Sequence, residues 1–253
     1  MQVLDDFVPI IHKLDGRTIK VWAVADVHIG ARECDLEGFK RFIAKLGEDD
    51  YVVLVGDLIN NGLRDSLTNV YEETMPPSAQ IEAAAEILTP VKDRILGAVS
   101  GNHENRTRKA VDIDITHTIM CMLGHPELYR RNMAFIRVNL ERGKTKDHYA
   151  LLLTHGKSDA KRRKFQYAVE GVDAVITAHT HQPLTEKPAR LVFTKGNKVR
   201  VEPLVSMVAT SWLQYGGYGA SGLYMPNATS NPQHLILEFI NSNDREGAIT
   251  VVW

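Results

Sequence analysis

The sequence has few cysteines, almost no net charge and no long apolar run, and each lack excludes a class of protein. Its two cysteines, Cys34 and Cys121, are too few for a disulfide framework, and their spacing does not match a thiolate metal site. A net charge of -1 with a pI near 6.8 gives no global attraction to nucleic acid or to an anionic membrane, although local basic patches are compatible with it. No apolar run approaches the roughly 20 residues that span a bilayer, so no membrane partner is expected.

The first residues also lack the pattern of a secretory signal. Asp5 and Asp6 stand where such a signal needs a basic segment followed by an apolar one. We therefore expect a cytoplasmic location. The length of 253 residues and the hydrophobic content of 44% suit one domain that spans 1–253.

The first half alternates between strand-like runs and segments with helical spacing. Apolar residues recur at helical intervals over 36–46, behind Asp35 as an N-cap, and again behind Ser78 as the N-cap of a second helix. Strand-like runs flank these helices, at 19–25, 51–55 and 95–100. This order predicts two βαβ units.

The second half is richer in strand-like segments. Residues 106–123 have the pattern of one helix and 159–170 that of a basic helix, whereas the part from 190 to 253 is mostly of β type, with a hairpin turn at 195–197. Residues 212–232 lack periodicity, which predicts a long loop. We expect an α/β fold of two packed mixed β-sheets flanked by helices, with βαβ units in the first half and antiparallel pairing in the second.

Five strand-like runs each end at side chains suited to binding a metal. In chain order these are Asp26 and His28, then Asp57, then Asn102, His103 and Glu104, then His155, and last His179 and His181. Taken singly, each of these residues can be explained by a structural role without metal binding, as a turn former, a helix cap or a buried core histidine. Jointly they are specific, because ligands of α/β sheets bind where the loops beyond the strand ends converge.

His179 and His181 alternate along a segment expected to be extended, so their imidazoles should point to one side. With Asp26, His28, Asp57, Asn102 and His155 they make seven candidate ligands. This number exceeds what one metal ion needs, and it predicts two.

In this order the five blocks resemble the calcineurin-like metallophosphoesterase family, and within it the bacterial and phage members related to repair nucleases and phosphodiesterases. The resemblance implies a β-sandwich flanked by helices with a dinuclear metal centre at one end. It implies that one metal is held by Asp26, His28 and His181 and the other by Asn102, His155 and His179. It further implies that Asp57 bridges the two metals, and that His103 faces the substrate as a catalytic residue without binding metal.

Two positions depart from the family pattern. Ala178 stands where the family usually has glycine, and Asn60 stands where many members have aspartate. The residues after Asp57 also differ from those of the Ser/Thr protein phosphatases, which argues against that branch.

The ligand set favours divalent metals of the first transition row. Imidazole, carboxylate and amide groups suit manganese, which is the first expectation, with iron, zinc, nickel or magnesium as alternatives. Two such ions clamp the attacking and leaving oxygens of a phosphoryl displacement and lower the pKa of a bound water.

Signals for the substrate are weaker. Arg106, Arg108 and Lys109 follow the Asn102 loop, and a second basic cluster follows His155, at Lys157 and 161–164. These clusters either steer a polyanion toward the metals or form solvated helix faces. Arg106 is the nearest candidate for substrate binding. The loop 212–224 either stacks bases, covers a sheet edge or forms a subunit contact.

These observations predict an enzyme that hydrolyses phosphodiester bonds by a metal-activated hydroxide, with DNA, RNA or a nucleotide as substrate. The alternatives are a phosphomonoesterase or protein phosphatase, and a scaffold that binds metal without catalysis. A homo-oligomer is compatible with the sequence.

Overall fold

The computed structural model describes residues 7–15, 17–64, 70–166, 168–194, 196–216, 232–240 and 249–252. The strands of these residues are β1 Ile10–Asp15, β2 Ile19–Val24, β3 Asp50–Leu54, β4 Ile95–Val99, β5 Tyr129–Arg130, β6 Met133–Arg142, β7 Thr145–Thr154, β8 Ala174–Thr177, β9 Leu184–Glu186, β10 Ala189–Phe193, β11 Val199–Pro203, β12 Val205–Val208, β13 His234–Leu237 and β14 Ile249–Val252. The α-helices are α1 Leu36–Lys45, α2 Pro77–Leu88, α3 Glu104–Val111, α4 Ile115–Met122 and α5 Asp159–Gln166. Short 3₁₀ segments lie at Val70–Glu72, Thr89–Arg94 and Pro126–Leu128.

Two mixed sheets pack face to face, as the sequence predicted. The first has the order β14-β13-β2-β3-β4-β5 and the second β1-β6-β7-β8-β12-β9, while β10 and β11 form a separate hairpin. Side chains alternate between the two faces of each strand. Val21 and Val53 point into the core between the sheets, with Leu151 and Ile176 opposite them.

Helices cover the outer faces of the sandwich. Val52 and Leu54 turn away from the inner core and pack with Phe39 of α1, Leu88 of α2 and Ile119 of α4. On the other side, Phe165 of α5 packs against Leu152 and Val175. None of the helices in the described residues is long and apolar enough to cross a membrane.

The two predicted βαβ units are present. Strands β2, β3 and β4 pair in parallel, with α1 and α2 as the crossovers. Asp35 caps α1 as expected, because its Oδ1 accepts a hydrogen bond from the Gly38 N–H at 2.9 Å. Ser78 is not the N-cap of α2: the helix begins at Pro77 and its N-cap is Pro76, which offers no side-chain oxygen.

Other expectations about the elements were wrong in part. The segment 106–123 is two helices, because Asp112 adopts a left-handed conformation that ends α3 and Asp114 caps α4. The part of β type that follows the predicted hairpin turn divides at Leu204 into β11 and β12. Pairing in the second half is mixed, since β7 and β12 both pair with β8 in parallel. Strand β1 was not predicted at all, and most of loop 212–232 lies outside the described residues.

Candidate metal centre

Parallel strands bring the predicted side chains to one edge of the sandwich. Asp26, Asp57 and Asn102 follow β2, β3 and β4 of the first sheet. His155 follows β7, and His179 follows the parallel β8, of the second sheet. Because the sheets pack face to face, their carboxyl ends meet, and the five loops converge.

One cluster consists of Asp26, His28 and His181, whose candidate ligand atoms lie within 4.8 Å of one another. The Nε2 atoms of His28 and His181 are 3.2 Å apart. Asp26 Oδ1 lies 3.5 Å from Nε2 of His181 and 3.9 Å from Nε2 of His28. This grouping matches the set that the resemblance implied for one metal.

A second cluster contains Asp57, His155 and His179 within the same limit of 4.8 Å. Nε2 of His155 lies 3.2 Å from Asp57 Oδ2 and 3.1 Å from Asn102 Oδ1. The extended geometry expected for the His179–His181 segment is wrong, since both residues have positive φ, 77° and 56°. That twist directs the two imidazoles to different clusters.

Asp57 lies between the two clusters. Its Oδ2 is 3.2 Å from Nε2 of His155 in one cluster and 4.0 Å from Nε2 of His28 in the other. Its Oδ1 accepts a hydrogen bond from the His103 N–H at 2.8 Å. Burial opposes ionisation, but the imidazoles of His155 and His103 outweigh it and lower the pKa of Asp57 well below its usual range.

His103 is held by two contacts that define its tautomer. The guanidinium of Arg106 can only donate, so Nε2 of His103 accepts from Nη2 at 2.9 Å. The proton therefore sits on Nδ1, which donates to the Asn60 carbonyl at 2.6 Å. Nε2 also lies 3.8 Å from Asp57 Oδ2, and His103 forms a third group with His28 and Asp57 whose candidate ligand atoms lie within 4.8 Å of one another.

Backbone geometry at the site is unusual. Five of the candidate ligands have positive φ, namely Asp26, His28, Asp57, His179 and His181. This left-handed region is costly for residues with a Cβ, and such residues concentrate at functional sites. Gly56 and Gly101 allow two of the loops to touch, because a Cβ on Gly56 would lie 2.4 Å from the Gly101 nitrogen.

Glu104 organises the two loops, a role that the sequence did not reveal. Its buried carboxylate accepts four backbone N–H bonds, from Asp57 at 3.0 Å, Leu58 at 2.6 Å, Ile59 at 3.3 Å and Gly101 at 2.9 Å. Burial and the nearby Asp57 carboxylate raise the pKa of Glu104 to about 7. The sequence marks Glu104 only by its place directly after Asn102 and His103, which does not indicate these backbone contacts.

The donor set fits divalent cations. Val55 O accepts from Nδ1 of His155 at 2.7 Å, so the Nε2 lone pair faces the oxygens of Asp57 and Asn102. Acceptors that converge in this way need a positive charge among them. Burial opposes protonation of His155, yet Asp57 raises the pKa of His155 to about 10, and a metal ion would supply the positive charge of that proton in its place.

The other cluster fits a cation for a similar reason. Asp26 Oδ1 and His28 Nδ1 are buried without a hydrogen-bond partner among the described residues. Burial and the neighbouring His103 lower the pKa of His28 well below its usual value, which keeps it in the neutral form that binds metal.

The basic helix is not a uniform polyanion surface. Arg162 is buried and bonds Glu186 Oε2 at 3.0 Å and Ser206 Oγ at 2.9 Å, with Asp159 Oδ1 3.3 Å from its Nε. Its neighbours Lys161, Arg163 and Lys164 are exposed. Arg162 thus anchors α5 to the second sheet.

Trp212 is also structural, which removes one candidate for base stacking. It is buried, and its ring centroid lies 5.1 Å from that of Phe39. The backbone N–H of Trp212 and the Ser211 hydroxyl both donate to the Asp26 carbonyl, at 3.0 and 3.1 Å. Residues 217–224 of this loop lie outside the described residues.

Comparison with known proteins places these observations in a family. No curated protein matches the chain. Solved structures that are similar include a predicted phosphoesterase from Streptococcus pneumoniae TIGR4, at 15% identity over 93% of this chain and 97% of that one with a TM-score of 0.37. YfkN from Bacillus subtilis, a calcineurin-like phosphoesterase, has 11% identity over 93% and 88% with a TM-score of 0.39. Vps29 from Entamoeba histolytica, complexed with zinc, has 13% identity over 92% and 97% with a TM-score of 0.39.

The family match spans most of the chain. The model of the calcineurin-like phosphoesterases matches residues 19–183, which include both His/Asp clusters and His103. Family and clusters together indicate that the protein binds divalent metal ions. The chain belongs to the calcineurin-like phosphoesterase family.

Proposed function

We propose that this protein is a dinuclear metal-dependent phosphodiesterase acting on a nucleic acid or a nucleotide. The observation that carries the proposal is the Asp57 carboxylate, which lies between two clusters of imidazole and carboxylate groups. A carboxylate has two oxygens, so one side chain in this position can serve both clusters. Asp26, His28 and His181 would hold one metal, and Asn102, His155 and His179 the other.

The charge of the site would attract phosphate esters. Two divalent ions, manganese being our first choice, would supply Lewis acidity and a nucleophile at neutral pH. They would bring four positive charges, of which Asp26 and Asp57 neutralise two, while the imidazoles and Asn102 add none. The two charges that remain would attract a diester and a monoester alike, so the preference for a diester rests on the resemblance of the motif blocks to the phosphodiesterase branch.

His103 and Arg106 would act on the substrate. The contact between them holds Nε2 of His103 without a proton. We propose that an anionic substrate draws the Arg106 guanidinium away, that Nε2 of His103 then takes up a proton from water, and that His103 gives this proton to the leaving oxygen. Arg106 would thus link binding of the phosphate to the protonation of His103.

The alternative is a phosphomonoesterase. A specific observation keeps it open: Arg162 is tied into the protein by Glu186 and Ser206, so α5 offers fewer cations to a polyanion than its sequence has. A cytoplasmic location remains a prediction from the sequence.

A substrate panel tests the proposal. The metal-loaded protein should hydrolyse bis-nitrophenyl phosphate at least about tenfold faster than nitrophenyl phosphate, with single-stranded DNA, RNA and cyclic nucleotides assayed beside them. The variant Asp57→Asn should lose all activities together. His125→Ala is the matched control, because His125 lies away from the clusters and bonds Asp93 and Glu127.

Hydrolysis of monoesters alone would move the assignment to a phosphomonoesterase. No turnover of any ester by a protein that binds two metals would instead support the scaffold. Activity that survives in Asp57→Asn would show that it comes from a contaminant or that the site is misassigned.

A further inference from the structure

The hairpin of β10 and β11 has one face made entirely of apolar residues. The strands pair antiparallel with Ala189 opposite Pro203, Leu191 opposite Val201, and Phe193 opposite Val199. Because alternate residues of a strand share a face, these six side chains lie together. We call them the hairpin face.

The hairpin face is exposed to solvent. The exposed fraction is 76% for Leu191, 71% for Phe193, 64% for Val199 and 58% for Val201. Within the described residues, β10 and β11 form a sheet of their own. A two-stranded hairpin is at best marginally stable in water unless its apolar face is packed, so this face is expected to have a partner.

The opposite face of the hairpin is fixed to the protein. Arg190 donates to the carbonyls of Val169 and Val172, which lie outside the hairpin, while its ion pair with Glu202, at 3.5 Å, lies within the hairpin itself. The hairpin therefore cannot bury its apolar side by turning over onto its own sheet without breaking these contacts.

We infer that two copies of this chain associate through their hairpin faces. The face is graded in size, with Phe193 at the end near the turn and Ala189 and Pro203 at the other. A two-fold axis that crosses the strands at the level of Leu191 and Val201 would lay Phe193 of one copy over Ala189 of the second. The same axis would place Leu191 against its own counterpart, so the face is complementary to itself.

The area agrees with a modest dimer. One aromatic side chain buries on the order of 150–250 Å², so six apolar residues contribute several hundred square ångströms per copy. A standard interface buries about 800 Å² per partner. The dimer is therefore at the small end of stable interfaces, and we expect its affinity at the weak, roughly micromolar, end of the range that such interfaces cover.

Sedimentation equilibrium of the full chain tests the inference. The wild type should approach twice the chain mass of 28.3 kDa as its concentration rises through the micromolar range. The double variant Leu191→Ser/Phe193→Ser should weaken association at least about 100-fold, since two large apolar side chains leave the interface. Ile11→Ser is the matched control, because Ile11 is 62% exposed on β1, and it should behave as the wild type.

A cross-link distinguishes this geometry from other dimers and does not depend on the folding of the serine variant. In a Cys121→Ser background, Leu191→Cys should be joined between copies by a short bismaleimide, because packed sheets lie about 10 Å apart. Ile11→Cys in the same background should not be cross-linked.

A wild type that stays monomeric, a serine variant that still dimerises, or a Leu191→Cys protein that does not cross-link would each overturn the inference. Loss of association in Ile11→Ser would overturn it as well. If the wild type is monomeric, the hairpin face would instead be expected to bind a different apolar partner.

Discussion

At the scale of single residues, Glu104 gives the sharpest prediction. Glu104→Gln keeps the shape of the side chain but offers an amide N–H₂ where two backbone N–H groups now donate. Each buried donor left without an acceptor costs about 1–3 kcal/mol, so with two such donors we expect the free energy of unfolding to fall by about 2–6 kcal/mol. Urea denaturation of the metal-free protein measures it.

Glu127→Gln is the control for this change. Its carboxylate is exposed and contacts His125, so the substitution should alter stability by less than about 0.5 kcal/mol. Equal stability of the Glu104 and Glu127 variants would contradict the assignment of Glu104 as the organiser of the two loops.

The identity of the candidate ligands could be predicted from the sequence, whereas the contacts that orient them could not. Asp26, Asp57 and His155 were found because each follows an apolar run. Glu104 accepts from residues more than 40 positions earlier in the chain, and no local pattern reports such a contact. Arg162 was misjudged for the same reason, because its partners Glu186 and Ser206 belong to distant strands.

At the scale of elements, the contact between the β3 and β4 loops depends on glycine. A Cβ on Gly101 would lie 2.0 Å from Asp57 Oδ1 and 2.3 Å from the Asp57 nitrogen. Gly101→Ala should therefore displace Asp57, destabilise the protein by about 1–3 kcal/mol and weaken metal binding. Thermal unfolding with and without manganese measures both effects.

Gly47→Ala is a suitable comparison for Gly101→Ala. Its added Cβ would meet only Asp50 Oδ2, at 3.4 Å, so it should unfold and bind metal like the parent. If Gly101→Ala also binds metal normally, the close approach of the two loops does not position Asp57.

Helices and strands with strong periodicity were predictable, and their junctions were not. The helix α1 and the strands β2, β3 and β4 appear where the apolar spacing placed them. The break between α3 and α4 depends on one left-handed residue, Asp112, in a segment whose apolar spacing is continuous. The packing of the whole sheet determines which strands pair in parallel with β8. The alternation of apolar and polar residues along one strand does not specify these partners.

At the scale of the whole molecule, metal binding should stabilise the fold. The candidate ligands come from five loops of both sheets, so ions that bind there hold the edge of the sandwich together. With each metal at about 100 times its dissociation constant, two sites contribute about 5 kcal/mol. For a chain of this length we expect an increase of roughly 10–20 °C in the melting temperature.

Differential scanning calorimetry with manganese and then with a chelator measures this increase. Asp57→Asn should show a much smaller change, since it perturbs both clusters. A melting temperature that does not respond to metal in the wild type would contradict the assignment of the two clusters as metal sites.

The left-handed conformations of the candidate ligands destabilise the fold at the same residues that would bind metal. Each of the five costs about 1–2 kcal/mol, and glycine would adopt the same φ without that penalty. A selection for heat-resistant variants in the presence of a chelator should therefore enrich glycine at Asp26, His28 or His179 and erase the site. The same selection with metal present should retain these residues, so the presence of metal during selection would decide whether the stabilised protein keeps its candidate metal site.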